Sequence, residues 1–407
     1  MHGFQTATSV LAWIVAVGWL GRFAEAAAGS RRVPNLWCPE FDRVPEGNPL
    51  VAVIVPARNE AANVSPCITS LLGQDYLNVR IIAVNDRSTD RTGSILDQLA
   101  ASDRTARLKV LHIGELPTEW LGKTHAMAVA AQEAIESYSP VYLLFTDADI
   151  QFSPDALRRS LVACTSSRAD HFITLPTTIA KTWGEAVLLA LLQVLGVWAV
   201  RNWRVADPEA KRDAMGVGAF NLLRTEVYEQ VGGFESLKLE IVEDLMLGRL
   251  VKCSGFRQQV AIAPGMVSLH WAAGIAGIIR GMTKNFFAVF EYRVTVVLAA
   301  TLFTALLCLG PALLLALPGC RLAGLLAWLG AAGLYALSAR ISRISPWFAL
   351  SMPLGAVLVV YAMLRSTLLT LARGGVIWRG TFYALKDLRQ HRAKRLNLVT
   401  RKSSRPV

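Results

Sequence analysis

The chain has 407 residues, a formal net charge of +12 and a hydrophobic content of 53%. Its mean hydropathy of +0.39 is too apolar for an ordinary soluble domain, yet long stretches have a normal charge density, so we expect a soluble domain joined to membrane segments. Residues 372–407 hold ten Lys/Arg against one acid, Asp387, which favours a cytoplasmic membrane surface over nucleic acid as the partner. The six cysteines are scattered and have no C-x-x-C spacing, so the sequence predicts neither a zinc site nor a disulfide framework. We therefore expect a reducing compartment.

The first candidate membrane segment covers residues 6–21, "TATSVLAWIVAVGWLG". Basic residues follow it, at Arg22, Arg31 and Arg32. In a signal peptide the positive charge precedes the apolar core, so this order argues against one. We therefore expect residues 1–25 to form an amino-terminal membrane anchor with its amino end outside.

A repeating strand and helix pattern begins at residue 48. Apolar runs at 50–57, 79–86, 108–114 and 141–145 predict four strands, with helices between them. This alternation predicts an α/β fold with a mostly parallel sheet, helices on both faces, and ligands bound at the carboxyl ends of the strands. The chain contains neither the G-x-G-x-x-G of dinucleotide-binding domains nor the G-x-x-x-x-G-K-[ST] loop of ATPases.

The fourth strand ends in "TDAD", where one alanine separates Asp147 from Asp149. Because side chains alternate along a strand, the two carboxylates are expected on the same side. A hard divalent cation, bound through these carboxylates and the phosphates of a substrate, explains the pair. The alternative is that one aspartate caps the helix beginning near Ser153 and the other is solvated.

The first two strands also end in polar residues, "PARNE" at 56–60 and "NDRSTD" at 85–90. Acidic side chains at these ends are suited to hydrogen-bonding a base and a ribose. For Asp86 alone, a role as a helix cap or turn residue is the alternative interpretation.

Two apolar stretches, 186–200 and 268–293, lie within or directly after the predicted sheet domain. The second also carries Arg280, Lys284 and Arg293. Both stretches resemble interfacial helices that hold a domain against the headgroup layer, although the first is equally consistent with an ordinary buried helix.

Three later segments, 294–317, 321–338 and 347–371, are each near the ~20 residues needed to span a bilayer and predict a transmembrane bundle over 294–371. If the anchor and all three segments span, the basic tail at 372–407 emerges outside, against the positive-inside tendency. We therefore expect one segment not to span fully. Pro353 and Gly355 make the last one a candidate for a broken or re-entrant helix, and the first segment is short.

The three strand-end motifs, in this order, resemble the family 2 glycosyltransferases, whose GT-A domain has P-x-x-N-E, D-x-S-x-D and D-x-D elements. The resemblance covers residues 48–290 and implies a nucleotide-sugar donor. It implies a metal site for Mg²⁺ or Mn²⁺ at Asp147 and Asp149. It implies that Pro56, Arg58, Glu60 and Asp86 line the nucleoside pocket. Lys123, in "WLGK", is a further nucleotide-binding candidate that could approach the diphosphate or the base, and an exposed lysine at a helix start is the alternative.

The stretches 217–235 and 242–256 resemble the acceptor half of the family, in which an E-D pair opens a helix and supplies the catalytic base. By position, the resemblance implies that this base is Asp244. A hydroxyl acceptor requires such a base. The alternative is that Glu243 and Asp244 are first-turn acids that interact with the helix dipole.

The layout, including "WLGK", "LLFTDADI" and "WRGTFYAL", resembles hopanoid-associated, carotenoid-type and ceramide-type lipid glycosyltransferases, although the Q/R-x-x-R-W motif of the ceramide type is not recognisable near 268–290. We therefore expect inverting transfer of a single sugar to the hydroxyl of a membrane lipid. The protein is expected in the cell (inner) membrane as a multi-pass protein with a cytoplasmic catalytic domain. The alternatives are a polyprenyl-phosphate glycosyltransferase and a non-catalytic scaffold or export subunit that retains the GT-A shell.

Overall fold

The computed structural model describes residues 2–393, which fold into two compact units. Unit 1 is made of residues 2–32, 178–203 and 271–385, and unit 2 is made of residues 33–177, 204–270 and 386–393. Each unit is therefore assembled from three separate parts of the chain.

The helices of the described residues are α1 (His2–Gly29), α2 (Val64–Leu72), α3 (Thr92–Ser102), α4 (Gly122–Tyr138), α5 (Ala156–Ser167), α6 (Trp183–Ala199), α7 (Thr225–Val231), α8 (Glu243–Cys253), α9 (Gly274–Val289), α10 (Val294–Ala316), α11 (Arg321–Ser342) and α12 (Met352–Arg373). The strands are β1 (Val51–Ala57), β2 (Val79–Asp86), β3 (Leu108–Ile113), β4 (Tyr142–Phe145), β5 (Ile150–Phe152), β6 (His171–Leu175), β7 (Thr177–Thr178), β8 (Asn221–Arg224), β9 (Gln258–Ile262), β10 (Val267–Leu269), β11 (Gly375–Trp378) and β12 (Thr381–Ala384).

Unit 2 is built on a seven-stranded sheet with the order β3-β2-β1-β4-β8-β6-β9. The pairs β2/β3, β1/β2, β1/β4 and β6/β9 are parallel, whereas β8 runs antiparallel to both of its neighbours, β4 and β6. The predicted mostly parallel α/β sheet is therefore confirmed.

Alternating side chains of β1 divide the core of unit 2 into two layers. Val51, Val53 and Val55 are buried in one cluster with apolar residues of α2, α3 and α5. Ala52 and Ile54 are buried in the other cluster with residues of α4, α7 and α8. Because both faces of the sheet are covered, its strands are continuous apolar runs, as their sequences indicate.

The antiparallel pairing of β4 with β8 determines which loops meet at the end of the sheet. Phe145, the last residue of β4, is paired with Asn221, the first residue of β8. The segment that leaves β4 therefore lies directly beside the segment that enters β8. This brings residues 146–149 next to residues 216–220.

Unit 1 consists of apolar helices and a small hairpin. In the described residues, five helical segments are long and apolar enough to cross a membrane: Thr6–Arg32, Trp183–Arg204, Val294–Ala316, Arg321–Ser342 and Pro346–Arg373. Close packing of α1 on α11 depends on a small residue, because a Cβ at Gly330 would lie 2.7 Å from the backbone carbon of Trp19. The indole of Trp19 also donates a hydrogen bond to the carbonyl of Leu307 at 2.9 Å.

Three elements of unit 1 differ from the sequence-based expectation. Helix α1 is 28 residues long and extends beyond the predicted anchor. All but the last residue of the stretch 186–200 lies in α6, which begins at a capping box formed by Thr182 and Glu185 and is a fifth segment of spanning length. Pro353 does not break the last segment, because it lies in the first turn of α12, where a proline removes no helical hydrogen bond.

The compact units also divide the chain differently from the predicted domains. The predicted catalytic region 48–290 contains 178–203 and 271–290, which both belong to unit 1. The reason is that α6 is apolar around its circumference and packs with the other apolar helices of unit 1. The last part of the predicted basic tail, 394–407, lies outside the described residues.

Candidate active site

Asp147 and Asp149 follow β4 and are positioned by the segment that enters β8. Thr146 Oγ1 donates to the carbonyl of Ala219 at 2.8 Å, and the amide of Asp147 donates to the carbonyl of Gly218 at 2.9 Å. These two bonds fix the backbone at the start of the D-x-D motif. The carboxylates are therefore held at the carboxyl end of the sheet, where the sequence predicts a ligand site.

Lys123 connects the D-x-D motif to the E-D pair. It lies in the first turn of α4, and its ammonium group is 2.5 Å from a carboxylate oxygen of Asp147 and 2.5 Å from one of Glu243. Burial acts to lower the pKa of Lys123, but the negative charges of Asp147, Glu243 and Asp244 outweigh it and raise this pKa. Lys123 is therefore a fixed positive charge at the centre of the site.

Negative charge is in excess around Asp149. Burial raises the pKa of this carboxyl, and the charges of Asp147 and Glu60 raise it further, to about 7, although Lys123 acts in the opposite direction. A bound divalent cation would reduce the repulsion between these neighbouring carboxylates, and hard cations of this kind prefer carboxylate oxygens as ligands.

The protein side chains alone do not complete a metal site. Within residues 2–393, no group of three or more His, Cys, Asp or Glu side chains is arranged to hold a metal ion. Asp147 and Asp149 could therefore hold a cation only together with water or substrate oxygens, which is common for Mg²⁺.

Asp244 lies in the first turn of α8 and faces the same loop. One carboxylate oxygen accepts the amide of Gly218 at 2.8 Å, and the other accepts the amide of Leu245 at 2.7 Å. A Cβ at Gly218 would lie 2.6 Å from an oxygen of Asp147 and 3.5 Å from an oxygen of Asp244. Glycine at this position therefore allows the two carboxylates to approach the same backbone segment.

Asp86 is the last residue of β2 and is almost completely buried. Its two oxygens accept hydrogen bonds from Arg87, at 2.7 Å from Nε and 3.0 Å from Nη2. Gly122, which precedes Lys123, packs directly against this carboxylate, since a Cβ there would overlap an oxygen of Asp86. The start of α4 thus joins the end of β2 to the D-x-D motif.

The loop after β1 carries Pro56, Arg58 and Glu60, and it is tied to the loop after β2. The backbone amide of Glu60 donates to Thr92 Oγ1 at 2.8 Å, and Oε2 of Glu60 accepts a hydrogen bond from Asn63 Nδ2 at 2.9 Å. Pro56 is paired within β1, whereas Arg58 and Glu60 lie just beyond its end. The first two strand-end motifs therefore form one continuous rim.

The structure brings Lys123, Asp147, Asp149 and Asp244 together, and it places Asp86 against the residue before Lys123. Sequence reasoning did not assign the contact of Glu243 with Lys123, the pairing of Arg87 with Asp86, or the role of Gly218. The only signals available were the E-D pair itself and the two closely spaced glycines of "GVGAF".

Comparison with known proteins agrees with this geometry. Residues 52–232 match the family described as glycosyl transferase family 2. The 4,4′-diaponeurosporenoate glycosyltransferase of Staphylococcus haemolyticus is 23% identical over 253 residues, which are 60% of this chain and 64% of that protein. The uncharacterized glycosyltransferase EpsJ of Bacillus subtilis is 32% identical over 111 residues, which are 27% of this chain and 29% of EpsJ. Both matches therefore cover less than two thirds of the relative.

Among solved structures, the mannosyltransferase PcManGT from Pyrobaculum calidifontis, in complex with GDP-Man and Mn²⁺, is similar with a TM-score of 0.53 and 18% identity. The similarity covers 89% of this chain and 99% of that one, which shows a shared fold. Together with the family match, it confirms the prediction made from the three strand-end motifs. Residues 52–232 therefore match a family 2 glycosyltransferase domain, and the fold is the predicted GT-A fold.

Proposed function

We propose that this protein transfers a single sugar, with inversion, from a nucleotide-diphosphate sugar to the hydroxyl group of a membrane lipid. The observation that carries the proposal is the convergence of Lys123, Asp147, Glu243 and Asp244 on the segment around Gly218. This arrangement offers acids for a cation, a fixed positive charge and a separate carboxylate for proton transfer. Such groups can neutralise a departing diphosphate and take the proton of an acceptor hydroxyl.

The donor nucleotide is proposed to bind along the rim formed by the loops after β1 and β2. Pro56, Arg58 and Glu60 would line the nucleoside pocket with Asp86. The carboxylate of Asp86 is already oriented by Arg87, and an ionised carboxylate has about four acceptor sites, so it can accept further hydrogen bonds from a base.

Mg²⁺ or Mn²⁺ is the proposed cofactor, with Asp147 and Asp149 as its protein ligands. The Mn²⁺ in the complex of the similar mannosyltransferase supports this choice of metal class. When bound, such an ion neutralises charge that develops on a departing diphosphate. Lys123 contributes a second positive charge, and its contacts hold Asp147 in place.

The acceptor hydroxyl needs a group that takes its proton, and we assign this role to Asp244. Its two oxygens are oriented by backbone amides of Gly218 and Leu245 and retain further lone pairs. Glu243 is instead engaged by Lys123, so it is the weaker candidate.

A lipid acceptor is supported by the apolar helices of unit 1 and by the relative named for 4,4′-diaponeurosporenoate. We propose that the protein is a multi-pass protein of the cell (inner) membrane with unit 2 in the cytoplasm. Residues 33–177 and 204–270 share one sheet, so both ends of α6 must lie on the same side of a membrane. Helix α6 therefore cannot be a single crossing, and an interfacial or re-entrant placement follows.

The test is sugar transfer by the purified full-length chain in detergent, with a panel of nucleotide sugars, a membrane lipid extract, and either Mn²⁺ or a chelator. The expected product is a lipid whose mass increases by one sugar residue, only with the metal present. Asp147→Asn should abolish this product, whereas the exposed Asp97→Asn serves as the matched control. If neither transfer, donor hydrolysis nor metal-dependent nucleotide binding occurs, the non-catalytic scaffold is the better interpretation.

A further inference from the structure

Unit 1 contains a strongly basic cavity that the proposed sugar transfer does not use. Its volume is about 430 Å³, which lies within the usual range for ligand pockets. It is bounded by α9, the carboxyl-terminal end of α12, and the β11–β12 hairpin. Its described lining contains no Asp or Glu but five basic residues: Arg280, Lys284, Arg365, Arg373 and Arg379.

The wall between α9 and α12 is fixed by hydrogen bonds. Ser366 Oγ donates to the carbonyl of Thr283 at 2.6 Å and accepts the amide of Phe287 at 3.1 Å. The guanidinium of Arg365 donates to Thr283 Oγ1. Two of the cavity's three sides are therefore joined at a defined register.

The hairpin forms the third side. Its two-residue turn, Arg379 and Gly380, has positive φ values of 47° and 80°, as in the tight turns that match the twist of paired strands. The ammonium of Lys284 lies 4.3 Å from the centroid of the Trp378 ring, a cation–π contact that links α9 to the hairpin. The turn therefore holds Arg379 at the edge of the cavity.

The basic side chains that line this cavity favour the binding of an anion. The end of α12 contributes about half a negative charge, whereas Arg280, Arg365 and Arg373 alone place three positive charges along the lining. Like charges gathered around one cavity repel one another, and a bound anion relieves that repulsion. Arginine is also well suited to phosphate, because its planar fork can donate two parallel hydrogen bonds.

The surroundings of the cavity select a lipid as the source of this anion. Leu368 and Leu371 of α12 are 65% and 40% exposed within two turns of Arg373, and Ile377 and Phe382 of the hairpin are 52% and 53% exposed. A bilayer that covers these apolar side chains would place lipid headgroups beside the cavity, whereas a free phosphate would make no contact with them. A phospholipid would cover them with its chains while its headgroup occupied the basic cavity.

We propose that this cavity binds the phosphate headgroup of an anionic membrane lipid. The inference goes beyond sugar transfer and does not depend on it, because none of its residues belongs to the proposed donor, metal or base positions. Its failure would leave the proposed glycosyltransferase function unaffected.

The test measures binding to the full-length chain in detergent, by native mass spectrometry and by titration. The probes are dioctanoyl phosphatidylglycerol, dioctanoyl phosphatidylcholine and inorganic phosphate. Phosphatidylglycerol should bind at least about tenfold more tightly than phosphatidylcholine. Arg373→Gln and Arg379→Gln should each weaken its binding by about fivefold, which corresponds to about 1 kcal/mol per basic residue near an anionic lipid.

Arg321→Gln and Arg340→Gln, in α11 of the same unit, are matched controls that remove the same charge outside the cavity. Unchanged thermal unfolding without lipid would confirm that the variants are folded. Equal affinity for the two lipids, or equal weakening by the control variants, would overturn the site. Competition by inorganic phosphate as effective as that by phosphatidylglycerol would overturn the lipid as its source.

Discussion

Replacing Asp244 by asparagine tests the proposed catalytic base most directly. The carboxylate accepts backbone amides on both oxygens, from Leu245 at 2.7 Å and from Gly218 at 2.8 Å. Asparagine keeps the shape but has one acceptor oxygen, so its NH₂ group must face one of these donors. Because a partly buried amide loses its acceptor, we expect the free energy of unfolding to fall by about 1–3 kcal/mol.

The effect on turnover should be larger than this loss of stability. Removing a general base reduces the rate of a proton-coupled step by about 10²- to 10⁴-fold, which is about 3–5 kcal/mol in activation free energy. Donor affinity should stay within a few-fold, because the proposed nucleoside and metal ligands are Asp86, Asp147 and Asp149. The prediction for Asp244→Asn is therefore normal donor binding with almost no transfer.

The assay compares sugar transfer and nucleotide-sugar affinity for Asp244→Asn, for the parent chain and for Asp97→Asn, well below the unfolding temperature of each. Asp97 is an exposed control that pairs only with His112 in the described residues. If sugar transfer survives in Asp244→Asn, the assignment of Asp244 as the catalytic base is wrong, and a polyprenyl phosphate acceptor, which is already ionised, is favoured. Lost donor binding would instead place Asp244 in the nucleotide site.

Four further changes have defined outcomes. Asp149→Ala should abolish Mn²⁺-dependent binding of a nucleoside diphosphate, measured by calorimetric titration, and unchanged affinity would argue against the metal site. Gly218→Ala places a Cβ 2.6 Å from an oxygen of Asp147, and a displacement of about 1 Å should reduce transfer roughly 100-fold; full activity would contradict this packing. Burial lowers the pKa of His171 to about 4. The free energy of unfolding should therefore fall as the pH is lowered from about 6.5 to about 4, by at most about 3 kcal/mol. In His171→Gln this decrease, measured by thermal unfolding at each pH, should be smaller. A cysteine at the exposed Gln390 should resist an impermeant reagent in intact cells, whereas labelling would place the start of the tail outside.

The strands and their acidic ends could be predicted from the sequence because their signals are local. The predicted bounds of β2, 79–86, match the structure, and those of β1 differ by one residue. Continuous apolar runs and the polar residues that follow them depend only on neighbours along the chain. The positions of Asp86, Asp147 and Asp149 at two strand ends were therefore sufficient to predict that they lie at one edge of the sheet.

Contacts across long sequence separations could not be predicted in this way. Lys123 reaches Glu243 across 120 positions, and no periodicity or motif connects them. The assignment of α6 to unit 1 has the same cause, because an apolar helix of 17 residues is consistent with either a domain core or a membrane bundle. The contact of Lys123 with Glu243 and the place of α6 in unit 1 both depend on tertiary packing.

The insertion of α6 into the sheet domain has a consequence for synthesis of the protein. Strands β4 and β6 precede α6 in the chain, but β8, which lies between them, follows it. A nascent chain that ends after α6 therefore exposes the edges of β4 and β6 that β8 later pairs, and unpaired strand edges are sites for aggregation. These edges are closed only when residues 221–224 emerge from the ribosome, by which time the apolar α6 has already been made. The seven-stranded sheet of unit 2 can therefore be completed only after the apolar helix α6, which precedes β8 in the chain, has been synthesised.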